Sequence, residues 1–185
     1  MGGMIVEKAL LVVDYTVDFV ADEGALTVGK PGQAIEDKIC ALTEAFVSKG
    51  DFVVMPVDLH EHENELHPET ALFPPHNIRG TTGRNLYGRL ADVFEKHKDS
   101  IVWMDKTRYS AFAGTSLEMM LRERHITELH IIGVCTDICV LHTAVDAYNK
   151  GFHITIHKDA VASFDEEGHR WALKHFQHTL GAEIL

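Results

Sequence analysis

The sequence contains no long apolar run and has little positive charge. No stretch approaches the roughly 18 consecutive apolar residues that a membrane-spanning helix needs. Its 17 lysines and arginines are outnumbered by 28 aspartates and glutamates, which gives a net charge of -11 at pH 7. Nucleic acids and anionic membranes repel such a charge unless a basic patch intervenes, and the sequence has none. We therefore expect neither partner.

Cysteine is scarce, and the first 11 residues lack the apolar stretch of a secretion signal. Three cysteines in such a chain do not suggest a disulfide framework, so we expect a cytoplasmic protein with at least one reactive thiol. Linkers and low-complexity segments are also missing. A chain of 185 residues, 45% of them hydrophobic, therefore predicts one ordered domain over residues 1–185.

Short apolar runs alternate with helical patterns along the chain. The predicted strands are residues 8–13, 52–57, 101–104, 129–134 and 152–156, with a last short strand at 182–185. The predicted helices are residues 31–48, 85–96, 116–124, 137–149 and 166–178. This alternation predicts a three-layer α/β fold, in which a mainly parallel, doubly wound sheet of about six strands carries helices on both faces.

Polar residues follow the first four predicted strands at their carboxyl ends. They are Asp14, Asp58, His60, Asp105, Lys106, Cys135, Thr136, Asp137 and Cys139. Ligands of open parallel sheets bind beyond the carboxyl ends of the strands. We therefore expect these residues to converge on one edge of the sheet.

Cys139 is the candidate nucleophile in this group. Thr136 or Asp137 could cap the helix that follows, which would place the Cys139 sulfur in the first turn, where backbone amides favour a thiolate. Lys106 could supply a nearby positive charge, and Asp14 could accept the thiol proton and return it to a leaving amine. The amides of the same helix terminus could bind an oxyanion.

Structural explanations compete with this hypothesis residue by residue. A cysteine at a strand-to-helix junction is usually a small buried residue, Asp14 could be a turn residue, and Lys106 a solvated charge. His142 lies three residues after Cys139 and could form a cysteine-histidine dyad, although no separate residue is evident to orient its ring. The joint occurrence of Asp14, Lys106 and Cys139 at strand ends favours catalysis.

The long polar segment over residues 59–84, together with the strand end before it, is rich in possible metal ligands. They are Asp58, His60, His62, His67, Glu69 and His76. Imidazole and carboxylate ligands suit zinc, manganese or iron. In an extended chain, Asp58 and His60 point to the same side. The alternative is a histidine-rich surface loop, because the chain contains 13 histidines.

Several segments together resemble the nicotinamidases of the isochorismatase-like cysteine hydrolase superfamily, over almost the whole chain. They are VVDYTVDF at 12–19, DLH at 58–60, HPE at 67–69, LFPPH at 72–76, WMDK at 103–106 and GVCTDICV at 133–140. The resemblance implies that Cys139 is the nucleophile, Asp14 the base and acid, and Lys106 the charge that tunes both. It also implies a cis peptide bond between Val134 and Cys135, which directs the amides of Cys135 and Cys139 at an oxyanion.

The same resemblance implies one divalent metal ion, with zinc expected and manganese or iron as alternatives. Its ligands would be Asp58, His60, Glu69 and His76. The implied reaction is hydrolysis of nicotinamide to nicotinate and ammonia through a cysteine thioester, in NAD salvage, with pyrazinamide as a second substrate. Phe19, Phe73 and Tyr109 would sandwich the ring, and a dimer or tetramer is expected. Another small-amide hydrolase, or a protein that kept the fold without activity, remains the alternative.

Overall fold

The structure, a computed structural model, describes residues 8–185 and contains one six-stranded sheet. The strands are β1 (Lys8–Val13), β2 (Phe52–Asp58), β3 (Ile101–Lys106), β4 (Glu128–Val134), β5 (His153–Ala162) and β6 (Glu183–Ile184). They lie in the order β3-β2-β1-β4-β5-β6, and every pairing is parallel. The predicted doubly wound α/β sheet is therefore confirmed. The strand order reverses between β1 and β4, where such folds form their ligand crevice.

Helices cover both faces of the sheet. They are α1 (Val17–Val20), α2 (Lys30–Ala34), α3 (Glu36–Lys49), α4 (Arg89–His97), α5 (Leu117–Glu123), α6 (Cys139–Asn149) and α7 (Glu166–His178). Because side chains alternate along a strand, Leu10 and Val12 of β1 pack with α1, α3 and α4, whereas Leu11 and Val13 pack with α5, α6 and α7. In the described residues, no helix is both long and apolar enough to span a bilayer.

Two predicted helices have different bounds in the structure. The helix expected over 31–48 is divided into α2 and α3 at Ile35, and the Tyr15 hydroxyl donates to the carbonyl of Gly32 at 2.6 Å within the first part. The helix expected from residue 85 begins only at Arg89. Gly88 has a positive φ of 54°, and Leu86 before it forms an antiparallel bridge with Thr16.

Three further elements differ from the sequence prediction. β5 continues six residues beyond the expected end at residue 156, β3 continues to Lys106, and α1 was not predicted. In β5, the exposed Lys158 and Asp159 interrupt the apolar run before buried residues resume. The segment 59–84 contains no helix or strand apart from two 3-10 turns, at Pro68–Ala71 and Thr82–Arg84.

Gly133 allows β4 to lie directly against β1 near the carboxyl end of both strands. Its φ is 116°, and a Cβ atom there would lie 2.0 Å from the carbonyl oxygen of Val13. No side chain fits at that distance, so only glycine permits this approach. Asp14 follows Val13 directly, and the peptide bond between Val134 and Cys135 is cis, as the resemblance implies.

We predict that Gly133→Ala destabilises the protein by about 3 kcal/mol or more, because it combines a disallowed φ with a backbone clash. Gly151→Ala is the matched control. Gly151 has a φ of 80° but open space around it. The loss of stability in Gly151→Ala should therefore reflect only the positive φ, about 1–2 kcal/mol. Denaturant unfolding of both variants measures the difference, and equal losses would contradict the role of the close approach.

Candidate active site

The carboxyl ends of β1 to β4 bring four predicted residues together. Asp14 follows β1 with a φ of 52°, Asp58 ends β2, Lys106 ends β3, and Cys139 is the first residue of α6, which follows β4. Their relative exposures are 0, 1, 1 and 4%. Asp14, Asp58 and Lys106 are so completely buried that their charges must compensate one another.

Lys106 lies at the centre of this group. Its Nζ is 2.8 Å from Asp14 Oδ2, forms a short contact with Asp58 Oδ1, and donates to the carbonyl of Arg108 at 3.0 Å. The Cys139 sulfur lies 3.5 Å from the same nitrogen. Asp14 is held in addition by the amide of Asp58, which donates to Asp14 Oδ1 at 2.8 Å. One ammonium group thus joins the candidate base, the candidate nucleophile and a predicted metal ligand.

Burial changes the proton affinities of this network. Burial, and then the charge of Asp58, raise the pKa of Asp14 to about 6, although Lys106 acts in the opposite direction. Burial also raises the pKa of Cys139 well above its ordinary value, again against the effect of Lys106. Burial therefore opposes the thiolate that the helix terminus and Lys106 favour. The sulfur must transfer its proton as it attacks, and Asp14 lies within 4.8 Å of it.

The turn between β4 and α6 presents two backbone amides. The amides of Thr136, Ile138 and Val140 each donate to a backbone carbonyl, that of Thr136 to Ala162 and the other two to Cys135. The structure gives no hydrogen bond from the amides of Cys135 and Cys139 within residues 8–185. These are the two amides predicted to bind an oxyanion, and both remain available to donate hydrogen bonds to one.

Four residues meet the requirements for a metal site beside this network. Asp58, His60, Glu69 and His76 are all buried, and one ligand atom from each lies within 4.8 Å of the others. Each has a buried atom without a hydrogen-bond partner: Asp58 Oδ2, His60 Nε2, Glu69 Oε1 and His76 Nε2. Buried polar atoms without partners are costly, and a cation bound by this group would compensate them.

The distances between the ligand atoms and the tautomer of His76 also fit a metal site. His60 Nε2 lies 3.8 Å from Asp58 Oδ2, and His76 Nε2 lies 3.3 Å from Glu69 Oε2. Donor atoms bound tetrahedrally to zinc at about 2.0–2.1 Å would be about 3.3 Å apart. His76 Nδ1 donates to the carbonyl of Pro74 at 2.7 Å, which leaves Nε2 with its lone pair, as in many metal-binding histidines.

Two other histidines of the segment are not placed to bind the ion. His67 uses both ring nitrogens, since Nε2 donates to the carbonyl of Thr107 at 2.6 Å and Nδ1 accepts from the amide of Glu69 at 3.1 Å. His62 is 79% exposed and lies beside Glu63. The predicted set with Glu69 as fourth ligand therefore agrees with the geometry.

The predicted aromatic residues line one cavity. Phe19, Phe73 and Tyr109 form part of its wall, and Cys139 lies in the same cavity. The cavity also reaches the metal group, which is formed by the four candidate metal ligands Asp58, His60, Glu69 and His76. Its lining includes Asp58, Glu69 and His76, and the rings of Phe19 and His76 are 5.3 Å apart. A nucleophile, a cation site and an apolar wall thus share one small space.

Three further residues of the wall were missed by the sequence reasoning: Leu26, Ile138 and Phe164. Phe164 lies two residues beyond the end of β5, at the same sheet edge as the others. It was missed because the rule selects polar residues after strand ends, and because the end of β5 was predicted six residues too early. Ile138 lies within residues 133–140, one of the segments that carry the resemblance, and no sequence signal marks Leu26.

Some predictions at the strand ends were wrong. Asp105 is directed away from the site, where it accepts from Arg84 Nη2 at 2.5 Å, because alternate side chains of a strand point to opposite faces. Neither Thr136 nor Asp137 caps α6, since Thr136 Oγ1 bonds His169 Nδ1 and Asp137 accepts from Ser163.

The dyad with His142 receives no support either. Its Nδ1 donates to the carbonyl of Ile138 at 2.7 Å, and its ring is exposed.

We predict that zinc at about 100 times its dissociation constant stabilises the wild-type protein by about 2.7 kcal/mol, which raises the melting temperature by roughly 5–10 °C. His60→Ala should lose this shift because it removes a ligand atom. His62→Ala, an exposed histidine of the same segment, should retain it. Thermal unfolding of the wild type and both variants, with and without zinc, measures the shift. A full shift in His60→Ala would show that the ion binds elsewhere.

Known proteins are similar to this chain in fold and sequence. A family model described as the isochorismatase domain matches residues 8–185. The crystal structure of the nicotinamidase/pyrazinamidase PncA from Bacillus subtilis is 62% identical with a TM-score of 0.95, covering 96% of this chain and 98% of that one.

Two further solved structures are similar. The pyrazinamidase/nicotinamidase of Streptococcus mutans is 53% identical with a TM-score of 0.94, over 96% of this chain and 99% of that one. The pyrazinamidase of Pyrococcus horikoshii in complex with zinc is 30% identical with a TM-score of 0.85, over 97% and 98%. This chain belongs to the isochorismatase family.

Proposed function

We propose that this protein is a nicotinamidase, which hydrolyses nicotinamide to nicotinate and ammonia in NAD salvage. The observation that carries the proposal is a cavity whose lining includes Cys139 and three of the four residues of the metal group, Asp58, Glu69 and His76. A flat ring with a carboxamide on one side and a nitrogen on the other suits such a space, since the nitrogen can face the cation while the carbonyl carbon faces the sulfur. The names of the similar proteins support this substrate.

The first half of the reaction would form a thioester. The Cys139 sulfur attacks the carboxamide carbon as its proton passes to the Asp14 carboxylate, and the negative charge on the carbonyl oxygen is held by the amides of Cys135 and Cys139. Asp14 then gives the proton to the departing nitrogen, which leaves as ammonia. Lys106 keeps its charge throughout and stabilises both anionic partners in turn.

The second half would use the same residues, with water in place of the sulfur as the nucleophile. Asp14, again a carboxylate, takes a proton from water, whose oxygen attacks the thioester carbon. The amides of Cys135 and Cys139 hold the second oxyanion. The carbon-sulfur bond then breaks, Cys139 recovers its proton, and nicotinate is released. The raised pKa of Asp14 suits a group that must accept and donate protons near neutral pH.

Zinc is the ion that we propose for the four-residue group. Two imidazoles and two carboxylates suit a borderline divalent metal, and the related Pyrococcus horikoshii protein was crystallised with zinc. Bound there, the ion would supply a Lewis acid that orients the substrate ring and polarises water.

The decisive experiment measures ammonia release from nicotinamide by the zinc-loaded protein. We expect turnover by the wild type and a loss on the order of 10⁴-fold or more in Cys139→Ala, because the nucleophile is removed. Cys40→Ala is the matched control, since Cys40 is a buried cysteine of α3 outside the cavity. If the folded, zinc-loaded wild type leaves nicotinamide intact, the proposal fails and other small amides become the substrates to test.

A series of ring amides tests how the ring is recognised. Pyrazinamide keeps both the shape and the ring nitrogen, and we expect its kcat/KM to lie within about tenfold of that for nicotinamide. Benzamide has the same shape without the nitrogen, and we expect its kcat/KM to fall by more than about 100-fold, because the cation loses its partner. Similar rates for all three amides would contradict recognition through the ring nitrogen.

A further inference from the structure

Asp18 lies one residue before Phe19 and outside the cavity, yet its carboxylate is hydrogen-bonded at two points. Its Oδ2 accepts from the amide of Asn77 at 2.8 Å, and its Oδ1 accepts from the amide of Ala25 at 3.2 Å. Asn77 directly follows the metal-group residue His76. The carboxylate therefore connects α1, which carries part of the aromatic wall, to the segment that carries the metal group.

Asn77 in turn fixes both histidines of the metal group. It is completely buried with a φ of 47°, and its carbonyl accepts from the amide of His60 at 3.1 Å. Its side-chain Oδ1 accepts from the hydroxyl of Thr16 at 2.9 Å. His76 is bonded covalently to Asn77, and His60 is hydrogen-bonded to it. A shift of Asn77 would therefore displace two of the four ligands together.

Gly83 brings the far end of the same segment against Asp18. A Cβ atom at Gly83 would lie 2.2 Å from Asp18 Oδ2, so the backbone packs directly on the carboxylate. Residues 59–84 have no strand or α-helix to hold them in place. Their position must come from individual contacts with the core elements, such as the backbone bond from Leu59 to Lys106, and Asp18 contacts them at Asn77 and Gly83.

We propose that Asp18 is a positioning residue for the metal group, acting through Asn77 to fix His60 and His76 relative to Phe19. The wall of the substrate cavity and the cation site then form as one unit. This inference rests on the proposed metal group, while it does not depend on which amide the enzyme hydrolyses. Groups that orient metal ligands in this way typically change metal affinity by about 10–100-fold when removed.

The test measures the zinc dissociation constant by competition with a chromophoric chelator, without substrate. We expect Asp18→Ala to weaken zinc binding by about 10–100-fold. Asp18→Asn keeps one acceptor oxygen for one of the two amides, and its affinity should lie between those of the alanine variant and the wild type. Asp22→Ala is the matched control, because Asp22 is an exposed carboxylate of the same region that accepts from Gln33. Its affinity should stay within twofold of the wild type.

Zinc affinity within twofold of the wild type in a folded Asp18→Ala would overturn the proposal, as would equal losses in Asp18→Ala and Asp22→Ala. If Asp18→Ala does not fold, the zinc affinity of Asp18→Asn tests the proposal instead. Unchanged zinc affinity in Asp18→Asn would also overturn the proposal. A wild type that binds no zinc overturns it too. A wild type that binds zinc but leaves nicotinamide intact would reject the proposed substrate alone.

A second measurement separates positioning from general loss of structure. With zinc saturating, Asp18→Ala should raise the KM for nicotinamide more than it lowers kcat, because Phe19 and the cation no longer face one another correctly while Cys139 is untouched. Equal KM values in Asp18→Ala and the wild type would contradict the link between the cation site and the cavity wall.

Discussion

The rest of the site depends on the ion pairs that the buried Lys106 ammonium forms with Asp14 and Asp58. The ammonium is placed between Asp14 and Asp58, and all three side chains are almost completely removed from solvent. Removing one partner of such a group leaves an uncompensated buried charge, which costs about 3–5 kcal/mol. The compensation holds the ends of β1, β2 and β3 together. It also fixes the position of Asp58, which has one oxygen directed to Lys106 and the other to the metal group.

Cation site and nucleophile are therefore parts of one electrostatic unit. The Cys139 sulfur contacts the same ammonium that contacts Asp58, and Glu69 is joined to the segment after Lys106 through His67, which bonds Thr107. The four candidate metal ligands come from the end of β2 and from a segment with little regular structure. Their arrangement depends on contacts with the sheet edge and with α1.

The sequence predicted the sheet, its edge and most of the site, because these follow from local patterns. Apolar runs mark strands, and a polar residue after a run lies at the edge where strands end. The failures have two kinds of cause. The division of the predicted helix involves a distant contact, the hydrogen bond from the Tyr15 hydroxyl to the Gly32 carbonyl. The end of β5 was missed for a local reason, because the exposed pair Lys158 and Asp159 interrupts the apolar run. Which histidines could bind an ion was suggested by resemblance, since composition alone left six ligand candidates open.

The raised pKa of Cys139 has a consequence for the chemical durability of the protein. Peroxides and alkylating agents react with a thiolate far faster than with a thiol. Burial that raises the pKa of Cys139 disfavours the thiolate and so slows such reactions, while the sulfur stays open to small molecules through the cavity. The same burial that requires a proton acceptor beside the sulfur therefore also lowers the reactivity of the sulfur toward oxidants.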